Sequence, residues 1–339
     1  MTEKPLVSVL MPVYNAGQYL REAIGSIVSQ SYDKLDIVVV DDGSTDGCVE
    51  DLQDMGDSRV RIVRQANAGR PGALNRGLDM ARGEFFIIQD ADDLSYPTRV
   101  ERQVAALVEN PDVAVVYSGN DLILRDGRRF APIAEFKDRR QCREAVLRFD
   151  LPAHDATGLY RASLVGDMRF DNVRLAEGVD FVWRVGERFP ALCLGECLYG
   201  HRVNYDSITH RDPTRSVLAI NTIIEKACQR RGWDPDPHRL RPPRRRGLFP
   251  HRMLDTIVPY AIQSVVSLKR SGRWSEGFRT ARHCLGLHPF DPYYYKPLAF
   301  AITPLCLLGA YRRVKAQRCP VPPVRDGPEQ APPPMGSGR

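Results

Sequence analysis

The chain has 339 residues, 43% of them hydrophobic and 27% charged, and carries a formal net charge of +6. With a mean hydropathy of -0.34, this is the composition of a soluble globular protein with material for a sizeable core and about two domains. Its 8 cysteines form no Cys-x-x-Cys pair and no cluster with histidine, so neither a zinc site nor a disulfide framework is read.

The positive charge is unevenly placed. Arg239, Arg241, Arg244, Arg245, Arg246 and Arg252 crowd one stretch, and Arg312, Arg313, Lys315 and Arg318 another. Such groups are either solvated side chains or a surface for anionic partners, phospholipid headgroups and phosphorylated substrates among them. No aromatic residues interleave with them in the manner of a nucleic-acid site, so no nucleic-acid partner is expected. The first residues lead into a short apolar strand without the pattern of a signal peptide. A cytoplasmic location is the expectation, with the anionic inner face of the plasma membrane as a peripheral docking surface.

Residues 6–11 read as a buried strand and 12–17 as a loop. Residues 19–29 then read as a helix with Leu20, Ala23, Ile24, Ile27 and Val28 on one face. A second apolar strand over 35–40 ends in Asp41-Asp42-Gly43-Ser44. A helix over 50–55, a strand over 60–64, a helix over 72–81, a strand over 84–89, a helix over 99–109 and a strand over 113–117 follow. This alternation, with strands apolar on both faces, predicts an α/β fold on a mostly parallel sheet covered by helices. Ligands of such sheets sit beyond the carboxyl ends of the strands, where Tyr14-Asn15, Asp41-Asp42 and Asp90-Ala91-Asp92-Asp93 all fall.

Residues 118–210 continue with mixed structure and helices near 141–148 and 180–189. Beyond 212 the chain becomes helical, over 217–230, 255–269 and 274–286, with a Pro/Arg-rich linker over 234–250 and a break at Ser271-Gly272. The uncharged stretch 298–311 is short for a membrane span and reads as a buried helix or an interfacial segment. The Pro/Gly-rich tail is expected to be disordered. The division that follows is a catalytic part over 1–211, a helical, Arg-rich extension over 212–319 and a tail over 320–339.

Each polar loop has two readings. Clustered carboxylates past a buried strand repel one another, so the run at 90–93 suits a hard divalent cation, Mn²⁺ or Mg²⁺; it also suits a solvated turn before a helix. The Tyr14 ring beside Asn15 can stack on and hydrogen-bond a nucleobase, or pack as a turn. Asp41-Asp42-Gly43-Ser44 can be a capped turn. No Gly-x-Gly-x-x-Gly and no P-loop lysine motif follows the first strand, which argues against a nicotinamide dehydrogenase and a nucleotidyltransferase.

The run Val7-Ser8-Val9-Leu10-Met11-Pro12-Val13-Tyr14-Asn15, followed by Val38-Val39-Val40-Asp41-Asp42-Gly43-Ser44-Thr45-Asp46, resembles the opening of glycosyltransferase family 2. Asn67-Ala68-Gly69, Ala73-Leu74-Asn75-Arg76-Gly77, Ala81-Arg82-Gly83-Glu84, Gln89-Asp90-Ala91-Asp92-Asp93, and then Pro97, Arg99 and Gln103 continue the likeness. It is dense over residues 5–118 and thins to about residue 210. The resemblance implies a GT-A fold, a nucleotide-diphosphate sugar donor (UDP by preference) and a divalent metal. It further implies inverting transfer of one sugar to a hydroxyl of a glycan, lipid-linked or cell-envelope acceptor. By the same resemblance Pro12, Tyr14, Asn15 and Asp42 line the nucleobase pocket, Asp90 meets the donor's ribose or sugar, and Asp92 with Asp93 holds the metal.

The family's general base is usually the Asp of a Glu-Asp pair at a helix start. The matching stretch is Ala176-Glu177-Gly178-Val179-Asp180, with Gly178 at the expected position. Glu177 or Asp180 serves instead, unless Glu177 caps the helix and Asp180 pairs with Arg184. Tyr199-Gly200-His201-Arg202 with Ser207 and Thr209 is similar to the segment closing the family's catalytic domain. His201 and Arg202 would there contact the pyrophosphate, or form a plain surface loop. His154-Asp155 falls where acceptor contacts would come, with a structural histidine as the alternative. No Gln-x-x-Arg-Trp motif of processive synthases is present, so one sugar per encounter is expected. The missing carboxylate at 178 makes a non-catalytic nucleotide-sugar- or glycan-binding relative the alternative function.

Overall fold

The computed structural model describes residues 3–52, 56–173, 175–203, 213–235, 257–270, 272–287, 289 and 292–304. The first half alternates as β1 (Val7–Val13), α1 (Tyr19–Val28), β2 (Leu35–Asp41), β3 (Val60–Arg64), α2 (Gly69–Met80), β4 (Phe85–Ile88), β5 (Leu94–Ser95), α3 (Arg99–Glu109) and β6 (Val115–Ile123). The helix expected over 50–55 is a 3₁₀ turn, Glu50–Leu52, with 53–55 outside the described residues. There follow β7 (Arg129–Ile133), α4 (Arg139–Leu147), β8 (Leu159–Arg161), α5 (Ala162–Val165), α6 (Glu177–Arg188) and β9 (Ala191–Arg202). The C-terminal region contributes α7 (Pro213–Arg231), α8 (Ile257–Arg270), α9 (Trp274–Leu287) and α10 (Lys296–Ile302).

The strands form one sheet in the order β3-β2-β1-β4-β8-β6-β9-β5, with β7 on β6. From β3 to β4 it is parallel, as the sequence pattern predicts. Beyond β4 it is mixed: β8 runs antiparallel to both β4 and β6, whereas β6 and β9 are parallel. A strand of 3 residues such as β8 is too short to show a period, which is why the sequence does not announce it. Val9, Met11, Ile37 and Val39 pack with the buried faces of α1 and α3, while Leu10, Val38 and Val40 face the side covered by α2. Burial on both faces is the physical origin of the continuous apolar runs.

The chain enters β4 pressed against β1. Ser8 Oγ accepts from the backbone N–H groups of Arg82 and Gly83 at 2.9 Å each and donates to Asp36 at 2.9 Å. A Cβ on Gly83 would lie 2.5 Å from both Ser8 N and Phe85 O, so only glycine fits.

The C-terminal helices pack on the sheet. Val258, Ala261 and Cys284 share a buried cluster with Leu122, Phe130 and Val203, and Ser264 Oγ donates to Pro132 O at 2.6 Å. Lys269 Nζ donates to the carbonyls of Phe300 and Ala301 at 2.9 and 3.0 Å, satisfying the free end of α10. Of the stretch 298–311, the part up to Ile302 belongs to α10. Residues 305–311, the Arg-rich groups at 239–252 and 312–318, Ser207, Thr209 and the tail lie outside the described residues. Among the described residues, no helix is long and apolar enough to cross a membrane.

Candidate active site

The loops after β1 and β2 are clipped together by Asn15, which adopts φ 50°. Its Oδ1 accepts from Thr45 N at 2.8 Å and its N–H donates to Ser44 Oγ at 3.1 Å. The Tyr14 ring beside it is 53% exposed, and Pro12 is half-buried within β1. Asp42 is buried at the end of β2. Its Oδ1 accepts from Gln65 Nε2 and Ala68 N, and its Oδ2 from Gly69 N, each at 2.8 Å. The carboxylate thus meets the first free N–H groups of α2, where the helix dipole also favours an anion. Among the described residues three donors meet this carboxylate, which has about four lone-pair directions.

Asp90, past β4, accepts on Oδ1 from Arg70 Nη2 at 2.8 Å and Nε at 3.3 Å. Arg70 Nη1 also donates to Glu177 Oε1 at 3.2 Å, so one guanidinium joins the acidic loop to the start of α6. Burial opposes the Arg70 charge, but Asp90, Glu177 and Asp155 together hold its pKa well above the usual arginine value. Arg70 is absent from the sequence reading. The signal was present: a cation in the first turn of a helix opposes the dipole unless anions face it.

Asp93 points inward. Its carboxylate is buried and accepts from Tyr199 OH at 2.8 Å, from Arg202 N at 2.7 Å and, at 3.2 Å, faces His201 Nδ1. It therefore fastens β9 under the acidic loop and leaves no oxygen facing a ligand. The Arg202 guanidinium is committed likewise: Nε donates to Asp92 O at 2.7 Å, Nη1 to Arg125 O at 3.0 Å and Nη2 to Glu22 at 2.7 Å. It shapes the loop rather than reaching outward, contrary to the pyrophosphate contact expected of it. Burial alone would depress the His201 imidazole, but Asp93 beside it pushes its pKa up to about 9. The His154 ring lies against that of His201 with centroids 4.4 Å apart and the planes tilted by 37°.

Asp90, whose Oδ1 meets Arg70, and Asp92 are half-buried carboxylates just past the end of β4. Among the described residues, no group of three or more His, Cys, Asp or Glu side chains could hold a metal ion unaided. Two carboxylates nevertheless suit a cation such as Mg²⁺, which takes its other ligands from water and substrate phosphates.

At the head of α6, Asp180 is fully buried, with Oδ2 on Arg184 Nε at 2.7 Å and Oδ1 on Arg230 Nη1 of α7 at 3.5 Å. This is the i,i+4 pairing that the sequence offered as the alternative to a catalytic Asp180. Glu177 is 6% exposed; its Oε1 meets Arg70, and its Oε2 has no hydrogen-bond partner among the described residues. Gly178, between them, lies against Asp155 of the 3₁₀ turn Asp155–Thr157: a Cβ on it would come 1.8 Å from Asp155 Oδ2. That turn is held by Arg99 Nη2 on Ala156 O and Gln103 Nε2 on Thr157 O, both at 2.7 Å.

A family model described as Glycosyl transferase family 2 matches residues 8–161. The EpsE protein of Bacillus subtilis (strain 168), named as a glycosyltransferase, is 32% identical over 240 residues, covering 68% of this chain and 84% of that one. An uncharacterized glycosyltransferase of Rickettsia felis is 40% identical over 126 residues, 36% of this chain, but the match spans only 21% of that relative's length. Among solved structures, the mannosyltransferase PcManGT from Pyrobaculum calidifontis, in complex with GDP-Man and Mn²⁺, gives a TM-score of 0.55 at 20% identity, over 89% of this chain and 86% of that one. TarS 1-349 of S. aureus in complex with UDP-GlcNAc gives 0.53 at 18% identity, over 92% and 89%. At such identities the structural likeness speaks to the fold alone, which is of GT-A type. The similarity to EpsE over most of its length, with the family model, shows that this chain belongs to glycosyltransferase family 2.

Proposed function

We propose that the protein transfers one sugar, with inversion, from a nucleotide-diphosphate donor to a hydroxyl of a glycan, lipid-linked or cell-envelope acceptor. The observation that carries this reading is Arg70, whose single guanidinium ties Asp90 of the donor loop to Glu177 at the head of α6. Such a link draws two carboxylates from separate chain segments together near the carboxyl end of β4, where ligands of such sheets bind.

In this reading Pro12, Tyr14, Asn15 and Asp42 receive the nucleobase and Asp90 the ribose or sugar. Asp92, with Asp90, holds a Mn²⁺ or Mg²⁺ ion, which supplies Lewis-acid stabilisation of the departing diphosphate. Asp93 and Arg202 keep the loop in shape. UDP is the favoured nucleotide from the sequence resemblance, although the two structural neighbours carry UDP-GlcNAc and GDP-Man respectively. An anionic membrane surface is the further partner, on the strength of the Arg-rich stretches alone.

A thermal-shift screen of UDP- and GDP-sugars with and without Mn²⁺ tests the reading. A donor at 100 times its Kd stabilises the fold by about 2.7 kcal/mol and should raise Tm by several degrees. Asp92→Asn should remove the Mn²⁺-dependent part of that shift; an unchanged shift takes Asp92 out of the metal role. No response to any nucleotide sugar defeats the reading. Binding without turnover across donors and acceptors favours the non-catalytic relative.

A further inference from the structure

Glycosyl transfer to a hydroxyl requires a group to take the hydroxyl proton, and three carboxylates stand at the head of α6. Asp180 has both oxygens on arginines. Glu177 is almost fully buried, with Oε1 held by the same guanidinium that holds Asp90 and Oε2 shut away from solvent without a partner among the described residues. Asp155 differs from both. Its side chain is 22% exposed, and the His154 Nδ1 that faces it lies at 3.6 Å, beyond hydrogen-bond distance.

Gly178 is what admits this carboxylate. An added Cβ would lie 1.8 Å from Asp155 Oδ2 and 2.8 Å from Asp155 Cγ, so every other residue at 178 would expel the side chain from its place. The absence of a carboxylate at 178 and the presence of one from the neighbouring turn are one feature of the packing. The turn is itself immobilised, because Arg99 and Gln103, both fully buried, hold the carbonyls of Ala156 and Thr157.

We infer that Asp155 is the general base of this protein, its carboxylate filling the space that a side chain at position 178 would otherwise take. The inference rests on the transfer reading above. Asp155 Oδ2 takes the acceptor's proton as the acceptor oxygen bonds to the sugar's anomeric carbon. The bond from that carbon to the phosphate oxygen breaks, and its electron pair leaves with the nucleoside diphosphate. Burial pushes the Asp155 carboxyl up, yet His154, Arg70 and His201 outweigh it and hold the group below the usual carboxylate range. It is therefore ionised, as a base must be.

Four proteins decide the matter: wild type, Asp155→Asn, Gly178→Asp, and the swap carrying Asp155→Gly with Gly178→Asp. Each is measured for Tm, for the thermal shift given by a UDP- or GDP-sugar with Mn²⁺, and for release of nucleoside diphosphate. Asp155→Asn should keep the fold and the donor shift while release falls roughly 100-fold or more. Gly178→Asp alone should lose Tm because two carboxylates then crowd one partly buried space. The swap should recover Tm and regain roughly tenfold or more of the release lost in Asp155→Asn. Undiminished release by Asp155→Asn overturns the assignment, as does a Gly178→Asp protein with the Tm and turnover of wild type. A wild type that binds no donor, or releases no diphosphate from any donor and acceptor tried, removes the transfer reading and the base with it. Release by wild type that survives in Asp155→Asn removes the base alone.

Discussion

The buried Asp93 and the half-buried His201 form an ion pair whose strength depends on pH. Burial would lower the His201 pKa, but Asp93, with Asp92 and Asp90 nearby, raises it from its ordinary value of 6.5 to about 9. A folded-state pKa above the unfolded one means that the contribution is complete below about pH 6.5 and is lost as pH rises through about 9. In metal-free buffer the protein should lose on the order of 2 kcal/mol across that window, read as a falling Tm, and His201→Gln should flatten the profile. A wild-type Tm that is level from pH 6 to 10 would show the histidine to be neutral in the native state. That the run at 90–93 is acidic is plain in the sequence. Which of its members turns inward is not, because the partners of Asp93 lie 106 to 109 residues downstream in β9.

At the level of elements, β1, β2 and β4 were legible because their residues are buried on both faces, and α1 and α3 because each shows a one-sided apolar stripe. The motif Ala81-Arg82-Gly83-Glu84 marks the entry to β4, and its glycine has a steric cause. A methyl group at 83 would meet backbone atoms of Leu6, Ser8 and Phe85, none of which can swing aside. Gly83→Ala should therefore cost about 3 kcal/mol or more in urea unfolding, well beyond an ordinary surface substitution. An unaltered midpoint would mean that β1 and β4 can separate without penalty. By contrast β5, β7 and β8 have 2, 5 and 3 residues and escaped the sequence reading, since so few positions carry no usable period.

Over the whole molecule, the C-terminal helices are joined to the catalytic part rather than tethered to it. Their apolar faces complete a buried cluster with β6 and β7, and the Tyr260 ring of α8 lies 6.0 Å from the His201 ring. The boundary expected at 211 lies outside the described residues, and helices that follow it in the chain pack on strands that precede it. The basic groups beyond α7 supply the test of membrane docking. The protein should float with anionic liposomes at low salt and be released as salt rises, since each Lys or Arg near such a surface contributes about 1 kcal/mol. Reversing the charge of Arg244, Arg245 and Arg246 should weaken flotation markedly; binding unaffected by that change sinks the membrane reading.

The amino-acid sequence carried the parallel half of the sheet, the order of the polar loops and the family, because apolar periodicity and short motifs are local properties of the chain. It also exposed Gly178 as a missing carboxylate. Long-range packing assigned each charged group its partner. Burying a carboxylate is costly unless donors meet it, and the donors for Asp42, Asp90, Asp93 and Glu177 come from other segments, whereas Asp180 takes its nearer donor, Arg184, from its own helix. Asp155 became visible for the same reason: its carboxylate reaches Gly178 only when the 3₁₀ turn held by Arg99 and Gln103 is folded against α6.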